Sequence, residues 1–219
     1  AISTFVLEQF QNKIKETPVY GLVLAGGKST RMKTDKGAIK YFDLPQSEHI
    51  SNMLNKFCDK VYVSCREEQS NHTHLVNVEQ LHDTFNDIGP AGGILSAMKK
   101  HPEAAWIVIA CDLPYVNERT LGQLIKEREP LRLGTCFLNP ERRWPEPLCT
   151  IYEPKSYARL MQFVSIGYTC PRKVLFNSHI KTIELSDIEA LRNANTPDDF
   201  KQATKFIENI GEKYYAPKC

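Results

Sequence analysis

The sequence lacks a strong excess of charge, a long apolar run and any paired arrangement of cysteines. Its 219 residues include 28 basic and 26 acidic side chains, a net charge of +2, scattered along the chain. No long basic field exists that would follow a nucleic-acid backbone or an anionic membrane surface. Apolar runs such as residues 106–110 are far shorter than the roughly 20 residues that cross a bilayer. We therefore expect neither nucleic acid nor a membrane as a partner.

The seven cysteines are odd in number and contain no C-x-x-C spacing. Several of them, such as Cys65 and Cys111, lie within or beside apolar stretches, where a thiol behaves as a small hydrophobic side chain. The sequence thus offers neither a disulfide framework nor a thiolate zinc site. Glu8 and Gln9 also stand where a secretory leader would be apolar. This pattern predicts a cytoplasmic protein.

Strand-like and helix-like stretches alternate along the chain. The predicted strands are Val19–Leu24, Lys60–Cys65, 106–111, Gly134–Leu138, 148–152 and 180–185. The predicted helices are 47–57, Pro90–Lys100, 117–127, one around 157–164 and one that begins at Pro197. This rhythm predicts an α/β protein with a three-layer, doubly wound, mostly parallel sheet. We expect one domain, residues 18–219, preceded by an N-terminal extension, residues 1–17, whose apolar residues have helical spacing.

The first stretch with a chemical signature follows the strand Val19–Leu24 and reads AGGKSTR. Glycines at the carboxyl end of a central strand let the backbone approach a ligand, and their N–H groups bind anions. A Walker A loop is excluded by Leu22, and a dinucleotide fingerprint by Arg31, because each stands where the motif needs glycine. Four cations within nine residues suit a triphosphate: Lys28, Arg31, Lys33 and Lys36. The alternative is a glycine turn without a ligand.

The second stretch is the apolar strand 106–111 followed by Asp112. A carboxylate at the tip of a buried strand lies at the ligand crevice, where it can hold Mg²⁺ while phosphates complete the coordination shell. Asp112 is therefore the candidate metal ligand. The alternative is that Asp112 only caps the turn before Pro114.

Two further stretches place polar groups beside predicted helix starts. Asp83 precedes a GPAGG segment in which Pro90 opens a helix, so that a partly positive helix N-terminus lies near the crevice. A plain helix start is the alternative there. Asn193 and Asn195 precede the helix of Pro197. Asn195 either caps that helix or directs its amide to a phosphate or a metal-bound water.

These four stretches, in this order, resemble the molybdenum cofactor guanylyltransferase family of nucleotidyltransferases. The matching segments are LAGGKSTRMKTDK at 24–36, residues 83–94 with GPAGGI, ACDLP at 110–114 and NANTPDDF at 193–200. The resemblance implies a Rossmann-like nucleotidyltransferase fold and a Mg²⁺-dependent transfer of GMP from GTP to the phosphate of molybdopterin, with release of pyrophosphate. The chain departs from the family at Lys33, where members have glycine, and at residues 64–66, where members have asparagine.

The resemblance also implies roles for individual residues. It places Asp112 at Mg²⁺ and Asn193 and Asn195 on the acceptor or metal side. The implied nucleotide-binding residues are Leu24, Ala25, Gly26, Gly27, Lys36, Asp83 and Asp112. Because a phosphate monoester is already anionic, in-line attack on the α-phosphorus needs no general base, and catalysis reduces to alignment and charge neutralisation. The expected catalytic residues are Arg31, Lys36 and Asp112.

The segment 139–148 does not match the family closely. Here Arg142 and Arg143 are candidates to bind the acceptor phosphate and Trp144 to stack on a pterin, with a solvated loop as the alternative. Expected partners are GTP, molybdopterin and, among proteins, molybdoenzymes or other cofactor-biosynthesis proteins. The competing functions are a cytidylyltransferase, a sugar- or polyol-phosphate nucleotidyltransferase, and a non-catalytic nucleotide- or cofactor-binding protein.

Overall fold

The computed structural model describes residues 14, 16–25, 36–139 and 142–210. The predicted extension, residues 1–17, falls outside these residues except for positions 14, 16 and 17, so its helical character stays a prediction. Three residues of the predicted site, Gly26, Gly27 and Arg31, also lie outside the described residues.

Seven strands form one mostly parallel sheet. They are β1 (Val19–Leu24), β2 (Lys60–Cys65), β3 (Gln80–His82), β4 (Ala105–Ala110), β5 (Gly134–Leu138), β6 (Pro145–Tyr152) and β7 (Lys181–Ile183). Their order across the sheet is β3-β2-β1-β4-β6-β5-β7. Strand β1 pairs in parallel with β2 and β4, whereas β6 runs antiparallel between β4 and β5. The predicted α/β class with a mostly parallel sheet is confirmed.

The described residues contain six α-helices, which cover both faces of the sheet. They are α1 (Gln46–Leu54), α2 (Pro90–Lys100), α3 (Glu118–Lys126), α4 (Ser156–Ser165), α5 (Pro171–Phe176) and α6 (Pro197–Ile210). Helices α1 and α3 share one apolar cluster with alternate strand residues such as Val63. Helices α2, α4 and α5 share another with the intervening strand residues such as Tyr62. Central strands are thus buried on both sides, which is why they read as continuous apolar runs.

Helix α6 packs away from these two clusters, on residues that flank the carboxyl end of β4. Its Ala203 and Ile207 share a small buried cluster with Tyr41 and Tyr115. The N–H of Ala194, just before α6, donates to the carbonyl of Asp112 over 2.9 Å. The segment that precedes α6 therefore lies at the tip of a central strand. No helix in the described part of the chain is long and apolar enough to cross a membrane.

Candidate functional site

A cleft of about 460 Å³ lies at the carboxyl ends of the central strands. Five described residues of the predicted nucleotide site line it: Leu24, Ala25, Lys36, Asp83 and Asp112. They reach it from different elements, since Leu24 ends β1, Asp83 follows β3 and Asp112 follows β4. Chain order reverses here, with β2 on one side of β1 and β4 on the other. Open α/β sheets bind ligands at such switch points.

Lys36 and Asp112 contact each other in the lining of this cleft, and Lys36 also contacts Asn195. The Nζ of Lys36 donates to Oδ2 of Asp112 over 3.2 Å and to Oδ1 of Asn195 over 2.6 Å. The side chains of Lys36 and Asp112 are 25% and 17% exposed. Charge-assisted hydrogen bonds at such partly buried positions fix geometry strongly. The ammonium group of Lys36 is therefore held at a defined place beside the carboxylate of Asp112.

The second carboxylate oxygen of Asp112 is suited to a metal ion. This atom, Oδ1, is buried and has no hydrogen-bond partner among the described residues. A buried acceptor without a donor costs free energy, which a bound cation would offset. The described residues contain no group of three or more His, Cys, Asp or Glu side chains that would enclose a metal. Mg²⁺ fits this donor set, because it commonly takes one or two carboxylates and completes its shell with phosphates and water.

Asp83 lies at the end of the cleft nearest β3, and two residues of β2 form hydrogen bonds with it. Its N–H donates to the carbonyl of Cys65 over 3.0 Å, and its Oδ1 accepts from Oγ of Ser64 over 2.5 Å. Burial raises the pKa of the Asp83 carboxyl, while the Ser64 hydrogen bond and the positive charge of Arg66 lower it. Both Ser64 and Arg66 line the cleft. Neither residue has a role that the sequence predicts, because Ser64 lies within β2, Arg66 follows it, and this stretch contains no recognised motif.

The N-terminus of α2 borders the same end of the cleft. Its N-cap residue, Gly89, adopts a left-handed φ of 63°, and Asp87 a φ of 59°. The helix begins without a side-chain cap hydrogen bond. Its partly positive end therefore adds to the attraction of the cleft for an anion.

The residues predicted for the acceptor side lie in two places. Asn195 contacts Lys36, as described above, and Asn193 is exposed on the same segment. Arg142, Arg143 and Trp144 are outside the lining of the cleft, just before β6. Arg143 forms two hydrogen bonds of 2.7 Å with the carboxylate of Glu184.

Trp144 lies beside two guanidinium groups. The ring is 43% exposed, and the guanidinium carbons of Arg142 and Arg172 lie 5.6 and 5.7 Å from its centroid. Arg172 also approaches the buried carboxylate of Glu146, at 3.7 Å. Neither Arg172 nor Glu146 was a candidate site residue in the sequence. Arg172 lies in a six-residue helix, and Glu146 stands between two prolines of β6.

Comparisons with known proteins identify a family and related sequences. The MobA-like NTP transferase domain matches residues 21–181. A molybdenum cofactor biosynthesis bifunctional protein of Synechocystis sp. is 36% identical over 189 residues, which are 86% of this chain and 54% of that protein. The chain thus spans about half the length of this relative. A molybdenum cofactor guanylyltransferase of Pseudomonas paraeruginosa is 30% identical over 182 residues, covering 81% of this chain and 90% of the relative.

The fold also matches a solved structure. Molybdopterin-guanine dinucleotide biosynthesis protein A from Archaeoglobus fulgidus superposes with a TM-score of 0.73 at 22% identity, covering 87% of this chain and 99% of that one. At this identity the likeness concerns the fold. It confirms the Rossmann-like nucleotidyltransferase architecture predicted from the sequence.

Proposed function

The chain belongs to the family of MobA-like NTP transferases, and we propose that it transfers GMP from GTP to the terminal phosphate of molybdopterin, with release of pyrophosphate. The observation that carries this proposal is the meeting of Lys36, Asp112 and Asn195 at a cleft formed by the carboxyl ends of the central strands. A cation, a carboxylate and an amide at one point suit a phosphate chain and its counterion. The relatives named above supply the choice of guanine and of the acceptor.

The nucleotide lies across β1 in this proposal. Leu24 and Ala25 line the cleft where the base and phosphates enter, Asp83 holds the guanosine at the β3 end, and Lys36 neutralises phosphate charge beside Asp112. Gly26, Gly27 and Arg31 are assigned to the same nucleotide by sequence and stay predictions, since they lie outside the described residues.

Asp112 would hold Mg²⁺ through Oδ1, and such an ion supplies charge neutralisation and alignment of the phosphates. Asn195 accepts from Lys36 and so keeps the ammonium group directed into the cleft. An acceptor phosphate oxygen forms the new bond to the α-phosphorus as the bond to the bridging oxygen of pyrophosphate breaks. The attacking phosphate is already anionic, so the reaction requires alignment and charge neutralisation from the protein but no general base.

We assign the acceptor to the β6 side of Asp112. Leu148 of β6 lines the cleft, and Trp144 with its two neighbouring guanidinium groups lies four residues earlier in the chain. An exposed ring beside two cations suits a flat, phosphorylated molecule such as a pterin. Arg142 is the better candidate of the two loop arginines, because Arg143 is already paired with Glu184. Asn193 is assigned to the same side on its sequence position.

The test is a reaction of the purified protein with GTP, Mg²⁺ and molybdopterin, in which the dinucleotide product and pyrophosphate are both quantified. We expect equimolar formation of the two and no pyrophosphate when the acceptor is omitted. With equal GTP and CTP, guanylylation should exceed cytidylylation about tenfold or more, because one mismatched buried hydrogen bond costs about 1–3 kcal/mol. Binding of GTP without turnover would identify a nucleotide-binding protein, and predominant cytidylylation would refute the guanine assignment.

A further inference from the structure

The hydrogen bond between Ser64 and Asp83 joins β2 to the residue that follows β3, at the end of the cleft that is farthest from β6. Ser64 is 1% exposed, and its hydroxyl donates to Oδ1 of Asp83 over 2.5 Å. The backbone of Asp83 is fixed separately, by its bond to the carbonyl of Cys65. No described residue donates to the other carboxylate oxygen, Oδ2. One oxygen is therefore occupied by the protein, and the other is left for a ligand.

Helix α2 has a glycine, Gly93, where it packs against the Ser64 hydroxyl. A Cβ placed on Gly93 would lie 2.5 Å from Oγ of Ser64 and 2.8 Å from Cδ2 of Leu24. Both distances are well inside van der Waals contact, so any side chain at this position would displace the serine or the leucine. Gly93 and Ser64 both line the cleft. The close packing of α2 on β2 thus confines the hydroxyl beside Asp83.

The pKa of the Asp83 carboxyl is raised overall, and its contacts with Ser64 and Arg66 limit this rise because they favour the ionised form. Burial raises the pKa of its carboxyl, and the Ser64 hydrogen bond and the Arg66 charge act against that rise. A hydrogen bond given to the charged form of a carboxylate stabilises that form. An ionised carboxylate only accepts hydrogen bonds, so it requires donors on the ligand.

We propose that Ser64 is a positioning residue for base selection, whose hydroxyl holds Oδ1 of Asp83 so that Oδ2 accepts from the donor edge of guanine. Guanine presents two adjacent donors, the N1–H and the 2-amino group, whereas adenine and cytosine place a ring acceptor beside their amino group. A fixed carboxylate therefore favours binding of guanine. It disfavours adenine and cytosine, because a mismatched edge leaves buried polar groups unpaired. The inference rests on the proposed use of GTP but does not involve the acceptor.

The experiment measures nucleotide binding alone, by calorimetric titration of the full chain with GTP and with inosine triphosphate, which lacks only the 2-amino group. The wild type should bind GTP about tenfold more tightly than inosine triphosphate, as expected for one hydrogen bond to a charged group. In Ser64→Ala and Ser64→Cys this ratio should fall towards one. The cysteine variant keeps the side-chain volume but offers a weak donor, so a role in packing alone would leave its ratio unchanged.

Ser51→Ala is the matched control. Ser51 is also buried, and its hydroxyl donates to the carbonyl of Ser47 within α1, away from the cleft. This variant should keep the wild-type ratio, and thermal melts should show that all the variants fold. If Ser64→Ala does not fold, the preference for GTP over inosine triphosphate is still compared between Ser64→Cys and the wild type, and this comparison tests the proposal.

Asp83→Asn gives a second readout. With its amide oxygen held by Ser64, this variant presents an N–H group where Oδ2 had been, which matches the 2-oxo group of xanthine. We expect it to bind xanthosine triphosphate more tightly than GTP. A wild-type ratio near one, or a Ser64→Cys ratio equal to that of the wild type, would overturn the inference. Failure of the wild type to bind any nucleoside triphosphate would instead overturn the proposed function.

Discussion

Asp112 uses its two carboxylate oxygens differently. Oδ2 accepts from Lys36, whereas Oδ1 is buried without a partner among the described residues. Asp112→Asn keeps the shape of the side chain but removes the charge that would hold a divalent cation. We expect turnover to fall about 100-fold or more, as when a preorganised electrostatic contact to a transition state is lost. The measurement is pyrophosphate release at limiting Mg²⁺, with thermal melting to show that the fold is kept. Wild-type rates in this variant would remove Asp112 from the metal site.

His49 makes the stability of the protein depend on pH. Its ring stacks on Phe42 at 3.8 Å between centroids, and its Nε2 is shielded from solvent. Burial lowers the pKa of His49 to about 4; the charge of Glu118 acts against this shift, and the charge of Lys56 adds to it. The unfolded chain, with an ordinary histidine pKa of about 6.5, takes up the proton first as the pH falls. Stability is therefore complete above about pH 6.5 and is lost as the pH falls towards 4.

His49→Phe keeps a ring for Phe42 and removes this proton uptake. Between pH 7.5 and 4.5 the wild type should lose about 2 kcal/mol more unfolding free energy than the variant, on the scale of 1.36 kcal/mol per pKa unit. Urea unfolding at the two pH values measures the difference, and the carboxylates common to both proteins cancel. Equal losses would show that His49 titrates normally in the folded protein.

Elements with a strong periodic pattern were predictable from the sequence. The bounds of Val19–Leu24, Lys60–Cys65 and Pro90–Lys100 agree with the prediction, because these elements are buried along their length or begin at a Pro-led turn. Strand β3 was missed, since three residues are too few to show alternation. Strand β6 begins at Pro145, three residues before the predicted start. Its prolines disfavour a strand there, and the β5–β6 register shifts between Cys136 and Leu138.

The candidate site was predictable only as a set of strand ends and helix starts. The positions of Lys36 and Asp112 after a glycine turn and an apolar strand indicated the same sheet edge, and the structure places them 3.2 Å apart. The bond from Ser64 to Asp83 could not be inferred, because it depends on the pairing of β2 with the short β3. The contact of Trp144 with Arg172 depends equally on where a six-residue helix packs.

The start of α6 connects helix capping to the site. Oδ2 of Asp199 accepts from the N–H groups of Asn195 and Thr196 over 3.0 and 2.9 Å, and the N–H of Asp199 donates to Oγ1 of Thr196 over 3.2 Å. These bonds, that of Asn195 first, lower the pKa of Asp199. Their stabilisation is therefore present above the ordinary carboxyl pKa and is lost as the pH falls below it.

Asp199→Ala should lower the unfolding free energy by about 1 kcal/mol, as expected for a lost cap. Turnover should also fall several-fold, because Asn195 loses the anchor that holds its amide at Lys36. Asp198→Ala is the matched control, since Asp198 lies in the same helical turn but is exposed and forms a surface ion pair with Lys201 at 3.6 Å. Chemical denaturation and steady-state rates test both variants. If Asp199→Ala lowered stability but left turnover unchanged, the capping bonds of α6 would have no role in catalysis.

At the scale of the whole molecule, the proposed function places the two substrates on opposite sides of one sheet edge. Asp83 lies on the β3 side of the cleft, Lys36 and Asp112 lie at its centre, and Leu148 is on the β6 side. The antiparallel β6 makes this division possible. Its N-terminal end, with Trp144 just before it, lies beside the C-terminal end of β4 because the two strands run in opposite directions. A parallel strand in that place would present its carboxyl end instead.

This division predicts that Trp144→Ala affects one substrate and spares the other. Loss of an aromatic ring that stacks on a flat heterocycle costs about 1–3 kcal/mol, so the KM for molybdopterin should rise about tenfold. The KM for GTP should stay within about twofold, because Trp144 lies outside the nucleotide cleft. The control is Arg159→Ala, which removes a guanidinium group 4.8 Å from the ring centroid of Phe163 on α4 and should change neither constant. An equal rise in both KM values would mean that Trp144 supports the fold of the cleft, and the acceptor would then have to be placed elsewhere along the sheet edge.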